Sequence, residues 1–307
     1  MAYHFVDDLL EAIADKGSPV CVGIDPVYDK LPEEYRPQVD DEVEHTVGIG
    51  NFCQEALELI APIVPAVKIQ SAYFERYGAT GVELYEQLID RAHDLDLLVI
   101  GDVKRNDIGS TAAAYAEGHL RGLMTKFGPD SRVADAVTVN GYFGADGIKP
   151  FVDMAEQESR GVFVLVRTSN PTAKDIQDFT NAAGLKFYEH MAAQVAAIGS
   201  AESLIGDRGY SCVGAVVGAT WPQEARQLRQ LMPQQLFLVP GYGAQGATAA
   251  DWAAAFKADG DGAIVNASRS VLFAFHDTKY AGLEWRLAIQ DAARLFAADI
   301  AAAVKHA

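Results

Sequence analysis

Eight short apolar runs, each followed by a longer stretch of helical periodicity, restrict this chain to few folds. The runs cover residues 20–24, 66–69, 97–100, 136–139, 162–166, 213–217, 236–239 and 263–265. Runs this short, without regular polar alternation, suit parallel strands buried on both faces. Between them the spacing predicts helices over 43–63, 81–94, 111–126, 147–158, 183–204, 222–231, 248–258 and 283–303. Pro222 fits a first helical turn, with Thr220 as its cap. This many strand–helix alternations favour a closed (β/α)8 TIM barrel over an open doubly wound sheet. An additional N-terminal amphipathic helix, 6–16, is expected to cover the N-terminal end of the barrel. No linker or internal repeat divides the sequence, so one domain, 1–307, is expected.

Composition narrows the function. Half the residues are hydrophobic and 22% charged, as in a soluble enzyme and unlike a disordered chain. A formal net charge of −17 argues against nucleic acid or an anionic membrane as partner. An anionic ligand would need a local basic site set against that field. Cys21, Cys53 and Cys212 are odd in number and far apart, and Cys21 and Cys212 lie in apolar runs; reduced buried thiols are expected. The histidines show no metal-ligand spacing, and no stretch approaches the ~18 apolar residues of a membrane span. The acidic start, Met1 to Asp8, does not read as a signal peptide, and a cytoplasmic location is expected.

In a barrel of this kind the active site gathers at the C-terminal ends of the strands, and polar residues accumulate there. Asp25 ends the first run, and Lys68 and Gln70 lie late in the second. Asn140 follows the fourth; Arg167, Thr168, Ser169 and Asn170 follow the fifth. The turn Pro240-Gly241-Tyr242-Gly243-Ala244-Gln245-Gly246 follows the seventh, and Asn266, Ser268 and Arg269 follow the eighth. The opposite rim has no comparable set. The glycine turn lets backbone N–H groups approach an anion, and Arg269 offers a fork suited to phosphate oxygens. A plain turn and a surface arginine are the alternative.

The third run leads into Asp102-Val103-Lys104-Arg105-Asn106-Asp107-Ile108-Gly109-Ser110-Thr111, where a buried strand gives way to a helix. Alternation puts Asp102 and Lys104 on one face, and Asp107 returns toward it at the turn. Charges held there need partners or a task; a structural ion pair capping the next helix is the simpler possibility. Lys68, Asp102, Lys104 and Asp107 could neutralise one another, keeping the lysines protonated. That disfavours a Schiff-base lysine and favours one that donates a proton.

The segment Asp102 to Thr111 resembles the signature of the orotidine 5′-monophosphate decarboxylase family, in the branch reading Asp-x-Lys-Arg-x-Asp-Ile (type 2). The likeness extends to Asp25, Lys68, Val166-Arg167-Thr168-Ser169-Asn170-Pro171, the turn at Pro240 to Gly246, and Asn266 to Ser270. It implies conversion of orotidine 5′-monophosphate to uridine 5′-monophosphate and CO2, no metal, no organic cofactor, and a homodimer with shared active sites. It further implies that Lys104 donates the proton to C6, beside Asp102 at the leaving carboxylate. Lys68 completes the charged tetrad and reaches a ribose hydroxyl, as does Asp25. Asp107 is similar to an acid that crosses to the neighbouring site, with Thr111 at the ribose. Ser169 matches a serine at the pyrimidine, and Gln245 and Arg269 match phosphate ligands beside Gly241 and Gly243. The connection 171–181 is expected to close over the base. Two other readings stand beside this one: a magnesium-dependent enzyme acting on a sugar phosphate, and a silent barrel that only binds nucleotides.

Overall fold

The computed structural model describes residues 4–36, 41–125, 128–129, 132–218, 222–243 and 252–305. Eight strands form where the apolar runs predict them: β1 Val20–Ile24, β2 Ala66–Gln70, β3 Leu98–Arg105, β4 Ala136–Val139, β5 Gly161–Arg167, β6 Ser211–Val217, β7 Gln235–Pro240 and β8 Ala263–Ala267. They close into a parallel barrel in the order β1-β8-β7-β6-β5-β4-β3-β2. The principal helices are α1 Phe5–Lys16, α2 Glu42–Ile60, α3 Gly78–Asp94, α4 Gly109–Ala116, α5 Ala145–Glu158, α6 Phe187–Ile198, α7 Pro222–Leu231 and α8 Trp285–Val304.

Three helices are shorter than their periodicity predicts. The apolar pattern beyond Ala116 continues only as a wider turn over Glu117–Arg121, which Gly122 ends at φ +67°. The pattern from 183 does not become helix until Phe187, because Asn181 Oδ1 accepts the N–H groups of Ala183 and Leu185 and holds a turn. Thr220 and residues 248–251 of the expected seventh helix lie outside the described residues. Of the rest of that helix only Trp252 and Ala253 are helical, and the chain turns from Ala254 onward, where the Lys257 N–H donates to the Asp261 carbonyl.

Period two along the strands builds the barrel interior in layers. Cys21, Ala66, Ile100, Ala136, Phe163, Leu236 and Ile264 form an apolar layer toward the N-terminal end. Helix α1 closes that end, burying Phe5, Val6, Leu9 and Leu10 against it. Such burial stabilises by about 1.5–3 kcal/mol per large side chain. The Phe5 ring meets Phe163 edge-on at 6.2 Å and passes so close to Gly161 that a Cβ there would stand 2.3 Å from it. Two residues further along four of these strands the inward positions turn polar: Lys68, Asp102, Thr138 and Asn266, all buried. The polar site is therefore the next layer of the same interior.

Candidate active site

Asp102 is the centre of that layer, 6% exposed and saturated with donors. Its Oδ2 accepts from Lys68 Nζ at 2.7 Å and Gln70 Nε2 at 2.9 Å. Its Oδ1 accepts from Lys104 Nζ at 2.5 Å and the Thr138 hydroxyl at 2.8 Å. Burial alone would push its carboxyl upward, but Lys68 and then Lys104 hold it far below the usual carboxylate range. Lys68 is raised to about 12: burial opposes its charge, and the attraction of Asp102 and then Asp25 outweighs burial. Its amine stays protonated at neutral pH. Asp25 Oδ1 stands 3.8 Å from Lys68 Nζ and has no hydrogen-bond partner among the described residues.

Four of these groups face a cavity of about 660 Å³ at the C-terminal mouth, which Lys104 and Thr138 do not line. Asp25, Lys68, Gln70 and Asp102 line one side; Gly241, Gly243, Asn266, Ser268 and Arg269 line the other. Arg269 opens the short helix Arg269–Leu272 and is exposed. The turn after β7 is fixed to β8, since the N–H groups of Gly241 and Tyr242 both point to the Asn266 carbonyl at 3.3 Å. Those two amides therefore do not face an anion, contrary to the expectation for the whole turn. Gly243 has φ +74°, and a Cβ on it would come 2.6 Å from Ser270 Cβ; only glycine lets this turn pack on the helix that Arg269 begins. Tyr242 anchors the turn from outside, its hydroxyl donating to Asp299 of α8 at 2.5 Å and its ring 4.4 Å from Phe296.

The remaining predicted residues are placed differently. Within one chain Asp107 joins neither lysine; its Oδ1 caps the N–H of Ile108 at 2.8 Å, and Asp25 is the second acid near Lys68. Thr111 is exposed in the first turn of α4. Ser169 is on the same rim after β5, against Gly218, but does not line the cavity. Gln245, with Ala244 and Gly246, lies outside the described residues. Arg167 turns away from the mouth and straps the connection after β5, binding Glu224 at 2.7 Å and Asp178 at 2.8 Å. All three cysteines are free and buried.

Three contributors escape the sequence reading. Gln70 and Asn266 stand on the rim without a role, and Thr138 reads only as a strand residue. The usable signal is phase: Thr138 is two residues beyond inward-facing Ala136, just as Asp102 is two beyond Ile100. Asn266 Oδ1 is a second buried acceptor left without a partner among the described residues.

No group of three or more histidine, cysteine or acidic residues suited to a metal occurs among the described residues, and no helix among them is long and apolar enough to cross a membrane. The profile of the Orotidine 5'-phosphate decarboxylase / HUMPS family matches residues 18–282. An orotidine 5'-phosphate decarboxylase of Rhodopirellula baltica is 42% identical over 272 residues, 88% of each chain. One from Deinococcus radiodurans is 40% identical over 291 residues, 95% of this chain and 97% of its own. The solved structure of Leishmania donovani OMP decarboxylase superposes with a TM-score of 0.74 at 28% identity, covering 99% of both chains. A mouth built around a lysine-clamped aspartate, a profile spanning most of the chain, and these similarities give one conclusion: the chain belongs to the orotidine 5′-phosphate decarboxylase / HUMPS family.

Proposed function

We propose that this chain converts orotidine 5′-monophosphate to uridine 5′-monophosphate and CO2, as a decarboxylase of the Asp-x-Lys-Arg-x-Asp-Ile branch, with Lys104 as proton donor. The observation that carries the assignment is the Lys68–Asp102–Lys104 chain at the mouth, with Lys104 its half-exposed member. Loss of CO2 from C6 leaves an sp² carbanion that the ring delocalises poorly. A cation beside that carbon stabilises the developing charge and then supplies the proton. Lys104 is held there by Asp102, while buried Lys68 keeps that acid ionised.

Asp102 would also face the departing carboxylate. Like charges ~4 Å apart at an effective dielectric of ~20 repel by ~4 kcal/mol, or roughly three decades of rate. Carbanion stabilisation must supply the larger share. Asp25 Oδ1, which accepts no hydrogen bond among the described residues, suits a ribose hydroxyl, and Arg269 suits the phosphate, with Gly243 on the same cavity wall. Gln245 is assigned to the phosphate from its place in the family's motif. Ser169 is assigned to the pyrimidine. Binding of the remote phosphate would close loops around the reacting ring.

Asp107 and Thr111 serve the neighbouring copy's site in a homodimer. Their separation from this chain's own lysines supports that role, as do exposed Ile108, Tyr142 and Phe143 nearby. The enzyme acts as one domain in the cytoplasm, without nucleic acid or membrane partner. Neither metal nor organic cofactor is needed: both oxygens of Asp102 are engaged by ammonium groups, where a metal-binding acid would keep one for the ion. The test is ultraviolet loss of the orotate absorbance when purified protein meets orotidine 5′-monophosphate in excess chelator. Full turnover is expected; abolition by chelator, reversed by magnesium, would move the assignment to metal-assisted sugar-phosphate chemistry.

A further inference from the structure

β3 does not stay in step with β4. Gly101 pairs with Val137 and Arg105 with Val139, so Asp102, Val103 and Lys104 stand opposite the single residue Thr138. Extra residues in one strand kink it and leave ladder groups unpaired. Lys104 takes up the kink with φ +45°, a conformation that a long side chain keeps only where its surroundings hold it.

Thr138 supplies the hold. It is 1% exposed, and its hydroxyl oxygen accepts the backbone N–H of Lys104 at 3.0 Å. The same hydroxyl donates to Asp102 Oδ1 at 2.8 Å, the oxygen that Lys104 Nζ also reaches. One small group thus fixes the main chain of the lysine and the rotation of the carboxylate gripping its amine. Strand packing accounts for a β-branched residue here, and its neighbours Val137 and Val139 are valines. It does not account for the hydroxyl.

We propose that Thr138 is a positioning residue for decarboxylation, its hydroxyl holding Lys104 in the left-handed conformation that aims the ammonium at C6. The proposal rests on Lys104 as the proton donor. A misplacement of about 1 Å at a reacting centre costs about 100-fold in rate, so the effect belongs in kcat.

The experiment compares Thr138→Val, Thr138→Ala and Thr138→Ser with the parent for kcat, KM, uridine 5′-monophosphate affinity and thermal midpoint, with Lys104→Ala alongside. Removing the hydroxyl is expected to lower kcat about 10- to 100-fold while KM and product affinity stay near the parent's. Thr138→Ser, which keeps the hydroxyl and loses the methyl, is expected to recover most of kcat. Thr138→Ala stands in should Thr138→Val not fold. Parental kcat without the hydroxyl, or equal losses with serine and valine, overturns the proposal. Turnover by Lys104→Ala would instead remove the donor assignment, so the two failures are distinguishable.

Discussion

Lys104 and Asp102 sit two residues apart on one strand with Nζ and Oδ1 at 2.5 Å, yet they occupy different environments. The side chain of Asp102 is 8% exposed and that of Lys104 46%. The acid is built into the barrel, and the amine it grips is half-exposed. Lys104→Ala is therefore expected to leave the fold intact and to abolish decarboxylation, by at least about 10⁴-fold when proton donation and charge stabilisation are lost together. Circular dichroism and single-turnover kinetics on the variant check both halves.

Asp102 behaves differently on substitution. Asp102→Ala leaves the buried ammonium of Lys68 without its closest anion, a change that typically costs 3–5 kcal/mol. Urea denaturation is expected to show that loss, where Lys104→Ala shows little.

The pair also fixes a pH window. Asp102 is depressed below its ordinary 3.8, so its contribution to stability is present above that value and disappears as pH falls through the folded-state value. Lys68 is raised from 10.5 to about 12, so its contribution is complete below 10.5 and disappears as pH rises through about 12. Between these limits the pair is expected to contribute a constant amount. In Asp102→Asn the acid limb of the stability profile should flatten and the alkaline limb move to lower pH, which denaturation midpoints measured across pH would show.

Arg269→Ala is expected to raise KM for the nucleotide with little change in thermal midpoint, because the side chain is exposed and faces the cavity. A charged hydrogen bond of about 1.5–3 kcal/mol corresponds to roughly 10- to 150-fold. Kinetics with the 5′-phosphate and with the bare nucleoside separate this from a general loss of activity.

Sharing of sites between subunits can be tested by mixing. If Asp107 serves the neighbour, inactive Lys104→Ala and Asp107→Ala proteins should regain activity when subunits exchange, because one site of each hybrid is intact. Random exchange restores roughly a quarter of the sites. No recovery, with exchange verified by native mass spectrometry, removes Asp107 from the shared site.

The barrel was legible because its strands are apolar enough to stand out at this spacing, and α1 because its apolar stripe is clean. The bulge in β3 was not: Asp-x-Lys alternates as an ordinary strand does, and nothing in it announces φ +45° at Lys104. Thr138 was hidden for the same reason, since its partner is a main-chain amide that exists only once β3 has kinked. The motif leads one to expect Asp107 beside Lys68 and Lys104, but spacing does not say that its carboxylate turns instead to the N–H of Ile108. The amides of Gly241 and Tyr242 illustrate a further limit: glycine frees a backbone to bend without saying what it will bind.

With α1 buried across the far end, the barrel is a blind well. The nucleotide must enter, and both uridine 5′-monophosphate and CO2 must leave, past the same rim. Traffic through the enzyme is then governed by the connections that surround the opening, and a change in one of them can alter turnover without disturbing a single charge at the bottom.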